Sequence, residues 1–478
     1  MQPTLIGLIL LPICLCSWHR PLWLLRIALI ASVFDAAASM IIGGFGVPVA
    51  MVPGLMFLAY VIVQYMLGMR YPGERLVAWT LTPLFLLLGY GLVGAVLLPD
   101  FFEGQVLVWP QRVSALNIGR PEPLRPDGSG RNQCIYLALN VLITCIGALL
   151  LSRRSIPYRA ILGTYLASGY LVVFLCVWQF ASRIAGVPYP SDFLYSNPFY
   201  ALLIDSIGSI PRINGPFTES AALATYLSGI VFSCMWLCVR GHDVLAPRLL
   251  FAISVGTTYL STSTTGIITV TLGVPLVLLL VLKGGSQEGK RRIWSTIGLL
   301  VAGGLVLIGP LLLLLPSLLT AFDTVLQGTL SKSSSGSYAA RTGADLDAIT
   351  AFMETSGLGV GWGSFRSSSL LPGLLANGGA IGLGLIVWLV FRLRRLSQLG
   401  NGQATTSHPA RIAVDGFSAA MCGQLGAALL SAPMVTSMSF FIQLACFIGA
   451  AIRIALDQAP PRRSAIANAY VPSRSDAI

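Results

Sequence analysis

Apolar runs about twenty residues long recur along most of this chain, and no other feature of it limits the fold so sharply. In a bilayer every backbone N–H and C=O must be satisfied within the protein, and a helix of about 20 apolar residues does this in one segment. Thirteen spans can be read, at about 5–17, 22–43, 48–68, 76–98, 134–151, 160–182, 219–239, 249–262, 264–282, 293–315, 372–391, 412–430 and 434–456. The first is short. The stretch 249–282 must be divided for the topology to work, and STSTTG (Ser261 to Gly266) supplies the polar groups and glycine at which a hairpin or broken helix bends. A single tilted helix is the alternative there. Charged residues make up only 10% of the 478, against roughly 25% in a soluble protein, and the mean hydropathy is +0.79. The expected fold class is an all-α polytopic integral membrane protein with about 12–14 transmembrane helices, thirteen favoured. One membrane domain covers 1–456, and 457–478 form a polar cytoplasmic tail.

Lys and Arg set the orientation, because they concentrate in short cytoplasmic loops. With the N-terminus outside and the C-terminus cytoplasmic, Arg70 and Arg75, Arg153 to Arg159, Lys283 to Arg292 and Arg392 to Arg395 all fall inside. The formal charge of +12 is then a property of the cytoplasmic face and gives no reason to invoke nucleic acid. Three outer segments are long: about 99–133, 183–218 and 316–371. The nine cysteines fall in or beside spans, so a disulfide framework is not expected. No Cys/His set has zinc-ligand spacing, and no metal or cofactor is expected. His19, His242 and His408 all map to cytoplasmic loops.

The outer face is short of positive charge, so each arginine there asks for a reason. PRINGPFTESAALATYL (211–227) sets Arg212 and Glu219 at the edge of a span. Asn214 or Gly215 with Pro216 reads as a helix start, with Thr218 as an alternative cap one turn later; Glu219 then sits in a first turn where the helix dipole favours a carboxylate. The same helix end offers backbone N–H groups to a phosphate, and Arg212 offers a planar fork of donors to its oxygens. Taken alone, Arg212 and Glu219 are as readily a headgroup anchor. In the third loop Leu346, Ile349, Phe352 and Met353 share one helix face, and Arg341 and Asp345 stand four apart on another. That is an amphipathic helix at the outer membrane surface. GLGVGWGSFR follows, a close-packed turn ending at Arg366. Asp35 lies in the middle of a span, where an acid is a functional candidate by default. Asp345, Asp347 and Glu354 read as a solvated helix face, and the Ser/Thr cluster as a helix break in preference to a nucleophile.

The order of these features resembles the O-antigen ligase and polymerase superfamily. The stretches that carry the resemblance are RINGPFTES (212–220), STSTTG (261–266), SYAARTGADLDAITAFMETSGLGVGWGSF (337–365) and LLANGGAIGLGL (374–385), and it covers about 160–456. It implies a metal-independent membrane glycosyltransferase on the outer face of the bacterial inner membrane. Such an enzyme takes a glycan from an undecaprenyl-pyrophosphate carrier and passes it to an acceptor hydroxyl. The resemblance puts the pyrophosphate on Arg212 and Arg341, with Arg366 as a further candidate. Glu219 is the first choice of general base and Asp345 the second. Expected partners are the lipid-linked oligosaccharides and the bilayer, with a chain-length regulator and export proteins beside them. The ligases carry a histidine in or after the large outer loop; here that stretch is FRSSSLLPGLLANGG. SSSLLPGLLANGGAIG also looks like exopolysaccharide polymerases. A polymerase is therefore the expected activity, with a ligase, or a flippase for lipid-linked sugars, as alternatives.

Overall fold

Helices form along most of the apolar runs. The computed structural model describes residues 2–43, 45–111, 120–126, 129–198, 206–207, 210–284, 286–298, 336–399, 408–431 and 437–458. In chain order the first helices are α1 (Leu5–Cys16), α2 (Pro21–Ala31), α3 (Met51–Met66), α4 (Glu74–Phe101), α5 (Ser129–Leu151), α6 (Tyr158–Ala185) and the single turn α7 (Ser191–Leu194). They are followed by α8 (Ser220–Arg240), α9 (Pro247–Leu260), α10 (Thr264–Gly284) and a segment α11 over 287–298. The last are α12 (Gly336–Glu354), α13 (Leu370–Leu399), α14 (Arg411–Ser431) and α15 (Met438–Gln458). Among the described residues eight of these, α4, α5, α6, α8, α10, α13, α14 and α15, are long and apolar enough to cross a membrane. The protein is a multi-pass membrane protein.

Small residues bring the central helices close, as they must where lipid supplies no hydrophobic drive between helices. A methyl group at Gly423 of α14 would lie 2.5 Å from the Ser228 carbonyl oxygen of α8. Gly229 meets Gln424 in the same way, and Arg240 pairs with Asp415, so α8 and α14 run antiparallel. Gly266 packs on Ala224 and Gly273 on Phe232, so α10 runs parallel to α8. Gly147 against Ala445 and Gly449 against Leu151 make α5 and α15 parallel. The registers fix what lies level: Ser431, the start of α10 and the first turn of α8 share one end of the bundle.

The basic loops gather at the other end. Gly73 packs against Ser152, the Arg159 guanidinium donates to the Asp243 carbonyl, and Arg392 stacks on Trp79 and Trp388. Asp415, 2% exposed, takes Arg240, Arg411 and His242, each at 3.1 Å. Removing this carboxylate leaves two guanidiniums facing each other without a counterion. We expect Asp415→Ala to cost about 3 kcal/mol, seen as a lower midpoint of thermal unfolding in detergent; an unchanged midpoint would show that the cluster is incidental.

One reading of the sequence changes here. The run 22–43 is not one span: α2 stops at Ala31 and Ala38–Ile42 is the middle strand of a three-stranded antiparallel sheet with Gln2–Pro3 and Phe45–Pro48. The backbone between them pairs with distant partners, Ala36 N–H with the Pro216 carbonyl (3.1 Å) and the Ala36 carbonyl with Asn197 N–H (3.3 Å), instead of continuing the helix. By contrast, 249–282 does divide, with α9 ending at Leu260 and α10 beginning at Thr264. The expected span 293–315 lies outside the described residues beyond 298, as does the third loop before 336 and the tail from 459.

Candidate functional site

PRINGPFTE folds as a sunken loop and not as a helix start. Gln179 of α6 accepts from the N–H groups of Asn214 (3.0 Å) and Gly215 (2.8 Å) and donates to Asn214 Oδ1 (2.8 Å). Tyr195 donates its hydroxyl to the Gly215 carbonyl and accepts from Gln179, at 2.7 and 2.8 Å. Burial pushes the Tyr195 phenol up from its ordinary pKa, which keeps it a neutral bridge. Asn214 closes the loop by donating to the Phe217 carbonyl at 2.6 Å. Gly215 lies against Cys176, more than two turns inside the end of α6, so the loop sits within the bundle. Arg183, in the last turn of α6, donates to the Arg212 carbonyl, which brings a second guanidinium to the loop. Gln179→Leu would strand two buried backbone donors, each worth about 1–3 kcal/mol. We expect that variant to lose folded protein on mild heating while Gln179→Glu, which keeps both acceptors, retains it.

Because Gln179 and Tyr195 take the backbone at Asn214 and Gly215, α8 begins later than the sequence suggests, at Ser220. Glu219 is its N-cap, in extended conformation with no side-chain bond to its own helix, and not a first-turn residue. Its half-buried carboxylate is therefore not engaged by the helix it precedes. Asp35 comes to the same place from the break after α2: Thr218 Oγ1 donates to Asp35 Oδ2 at 3.3 Å. Asp35 is thus in a turn beside Glu219's neighbour, not in the middle of a helix. Neither Gln179, Arg183 nor this place for Asp35 was visible beforehand, because each depends on a contact across tens to hundreds of residues.

Arg341 is half-buried on α12 and reaches Ser431 Oγ at 3.5 Å. Ser431 ends α14, level with the first turn of α8, so Arg341 is held at the depth of the helix end that Glu219 caps. Asp345 does not pair with Arg341. Its carboxylate accepts from the N–H groups of Ser368 (2.8 Å) and Ser369 (3.0 Å) and from Ser369 Oγ (2.7 Å), tying α12 to the start of α13. Arg366 is exposed, its N–H donating to the Trp109 carbonyl at 2.9 Å, and Trp109 in turn donates to Asp347 at 2.7 Å. The apolar face read from the sequence points outward, with Leu346 and Met353 exposed, while Ala344, Ala348 and Ala351 face inward.

The glycine turn fixes this cap onto the bundle. Gly361 has φ +102° and a methyl there would lie 2.6 Å from the Gly94 carbonyl oxygen. Gly379 interrupts α13 at φ 61°, ψ −165°, which lets Ala380 N–H reach the Gly357 carbonyl at 2.8 Å. Asn377 holds Phe365 from both sides, accepting from its N–H (3.0 Å) and donating to its carbonyl (2.9 Å).

The α9–α10 break is level with the same end of α8. Ser261 donates back to the Thr258 carbonyl at 2.7 Å, as a helix break predicts, and Thr262 adopts φ +50°. Among the described residues no group of three or more His, Cys, Asp or Glu side chains is placed to hold a metal ion. What the site presents is a helix N-terminus with guanidiniums and carboxylates at the same end of the bundle. Compared with models of known protein families and with curated proteins, the chain matches none.

Proposed function

We propose that the protein is a polysaccharide polymerase: a membrane glycosyltransferase that joins lipid-linked oligosaccharide repeats at the outer face of the bacterial inner membrane. The observation that carries this reading is the placement of Arg212, Arg183, Glu219, Asp35 and Arg341 at the end of the bundle away from the basic loops. Orientation follows from the positive-inside rule: the Arg-rich end is cytoplasmic, so the site faces outward.

In this scheme the pyrophosphate of the donor lies against Arg212 and Arg341, near the N-terminus of α8, whose N-cap Glu219 makes no side-chain bond to it. A hydroxyl of a second lipid-linked repeat attacks the anomeric carbon from the opposite side. The new C–O bond forms as the bond to the pyrophosphate oxygen breaks, and the configuration inverts. The pyrophosphate leaves with the electron pair, and the guanidiniums hold the growing charge. Glu219 takes the proton from the attacking hydroxyl, a role its place outside its own helix's hydrogen bonding allows. Asp345, with three hydrogen bonds to the start of α13, is better suited to positioning than to proton transfer. The histidines support a polymerase over a ligase that uses one: His242 is bound to Asp415 and His408 to Asp457, both at the basic end.

Deleting the gene and sizing the lipid-linked glycans tests this. Single repeats should accumulate on the outer leaflet. Repeats trapped on the cytoplasmic leaflet would instead identify a flippase, and full-length polymer left on its carrier a ligase.

A further inference from the structure

A large cavity lies away from the site just described. It has a volume of about 1110 Å³ and runs between α8, α10 and α14 on one side and α13 and α15 on the other. Trp362 and Phe440 mark its outer reach, and its walls are leucine, valine and phenylalanine. At the basic end the wall changes character: Arg240, Arg292, Arg394 and Arg411 line it, with Asp415 and Glu288 among them. Two carboxylates against four guanidiniums leave this end positive. The cavity is thus a long apolar slot closed at one end by an excess of arginine.

We propose that this cavity binds one anionic glycerophospholipid from the leaflet at the arginine-rich end, with its phosphate among those arginines and its chains along the apolar walls. Ordinary positive-inside charge does not account for the arrangement. Arg70, Arg153 and Arg392, at the same end, stack on Tyr65, Tyr71 and the Trp79–Trp388 pair, where snorkelling side chains rest. The four cavity arginines instead line a slot that continues into an apolar interior; Arg240 and Arg411 pair with Asp415 and Arg292 with Glu288, and the positive excess is what remains after these pairs. Lipid headgroups are recognised by such basic pockets between membrane helices. A polyprenyl pyrophosphate with its headgroup at Arg212 and Arg341 would present only its tail to this end, so the headgroup here belongs to a lipid of the opposite leaflet. The inference rests on the cavity and stands independently of the polymerase reading.

The test is to purify the protein from bilayers containing equal phosphatidylglycerol and phosphatidylcholine and to count retained lipids by native mass spectrometry. One phosphatidylglycerol per chain is expected in preference to phosphatidylcholine. The double variant Arg292→Gln/Arg394→Gln spares the Asp415 cluster and should retain about tenfold less. Ala419→Trp places an indole in the slot and should retain less still, whereas Arg70→Gln, outside it, should match the unaltered protein. Equal retention of both lipids, retention of a polyprenyl phosphate in their place, no retained lipid, or an equal loss in Arg70→Gln would each overturn the proposal.

Discussion

Arg341→Ala protein should accumulate in the membrane at the normal level and make almost no polymer. Among the described residues the guanidinium's hydrogen-bond partner is Ser431 Oγ, at a long 3.5 Å, so little bonding is lost with it. Losing one preorganised donor to a leaving group costs about 10²–10³-fold in rate. A chain elongated that slowly is released or diluted before it grows long. Arg212→Ala should behave alike, since its residue stands in a loop whose backbone at Asn214 and Gly215 is held by Gln179 and Tyr195. Lysine at either position keeps a point charge and loses the two-pronged grip on phosphate oxygens, so partial activity with shorter chains is expected. Wild-type polymer length from either alanine variant, read on a glycan gel, would remove that arginine from the mechanism.

The second large effect is on folding. Gly379→Val forces a β-branched residue to φ 61°, ψ −165°, with its Cβ 2.3 Å from the Gly357 carbonyl oxygen. Gly361→Val does the same at φ +102°, against the Gly94 carbonyl. Backbone oxygens cannot swing aside as side chains do, so both the strain and the clash remain, at about 3 kcal/mol or more. Detergent extracts of either variant should contain little monodisperse protein. Gly343→Ala is the control: nothing lies within 4 Å of an added methyl, and its helix should gain slightly. If Gly379→Val gave as much monodisperse protein as that control, the tight seat of the glycine turn would be wrong.

Local chemistry made some of this legible and distant contacts hid the rest. The break at 261–263 announces itself, because hydroxyls and a glycine in an apolar run can pair with the preceding turn, as Ser261 does. The break after Ala31 does not. It depends on Pro216 and Asn197, and a run such as ASVFDAAASM carries no local sign of them. Glu219 was read as a first-turn residue because Gly-Pro normally starts a helix. The helix starts later because Gln179 and Tyr195 hold the backbone of Asn214 and Gly215. The i, i+4 spacing of Arg341 and Asp345 suits one helix face, yet each side chain bonds off that helix, Arg341 to Ser431 and Asp345 to Ser368 and Ser369. Arg183 gives no local sign, since an arginine in a last helical turn is ordinary; only the fold shows it against the Arg212 carbonyl.

The central claim is that this chain itself joins the repeats, and purified protein in vesicles tests it without the rest of the cell. Undecaprenyl-pyrophosphate-linked repeats supplied to the site-bearing face, with no other protein present, should yield a ladder of lipid-linked oligomers and free carrier pyrophosphate, and Glu219→Gln should suppress both. Repeats that remain single on that face, or that cross the vesicle membrane unjoined, would contradict the account.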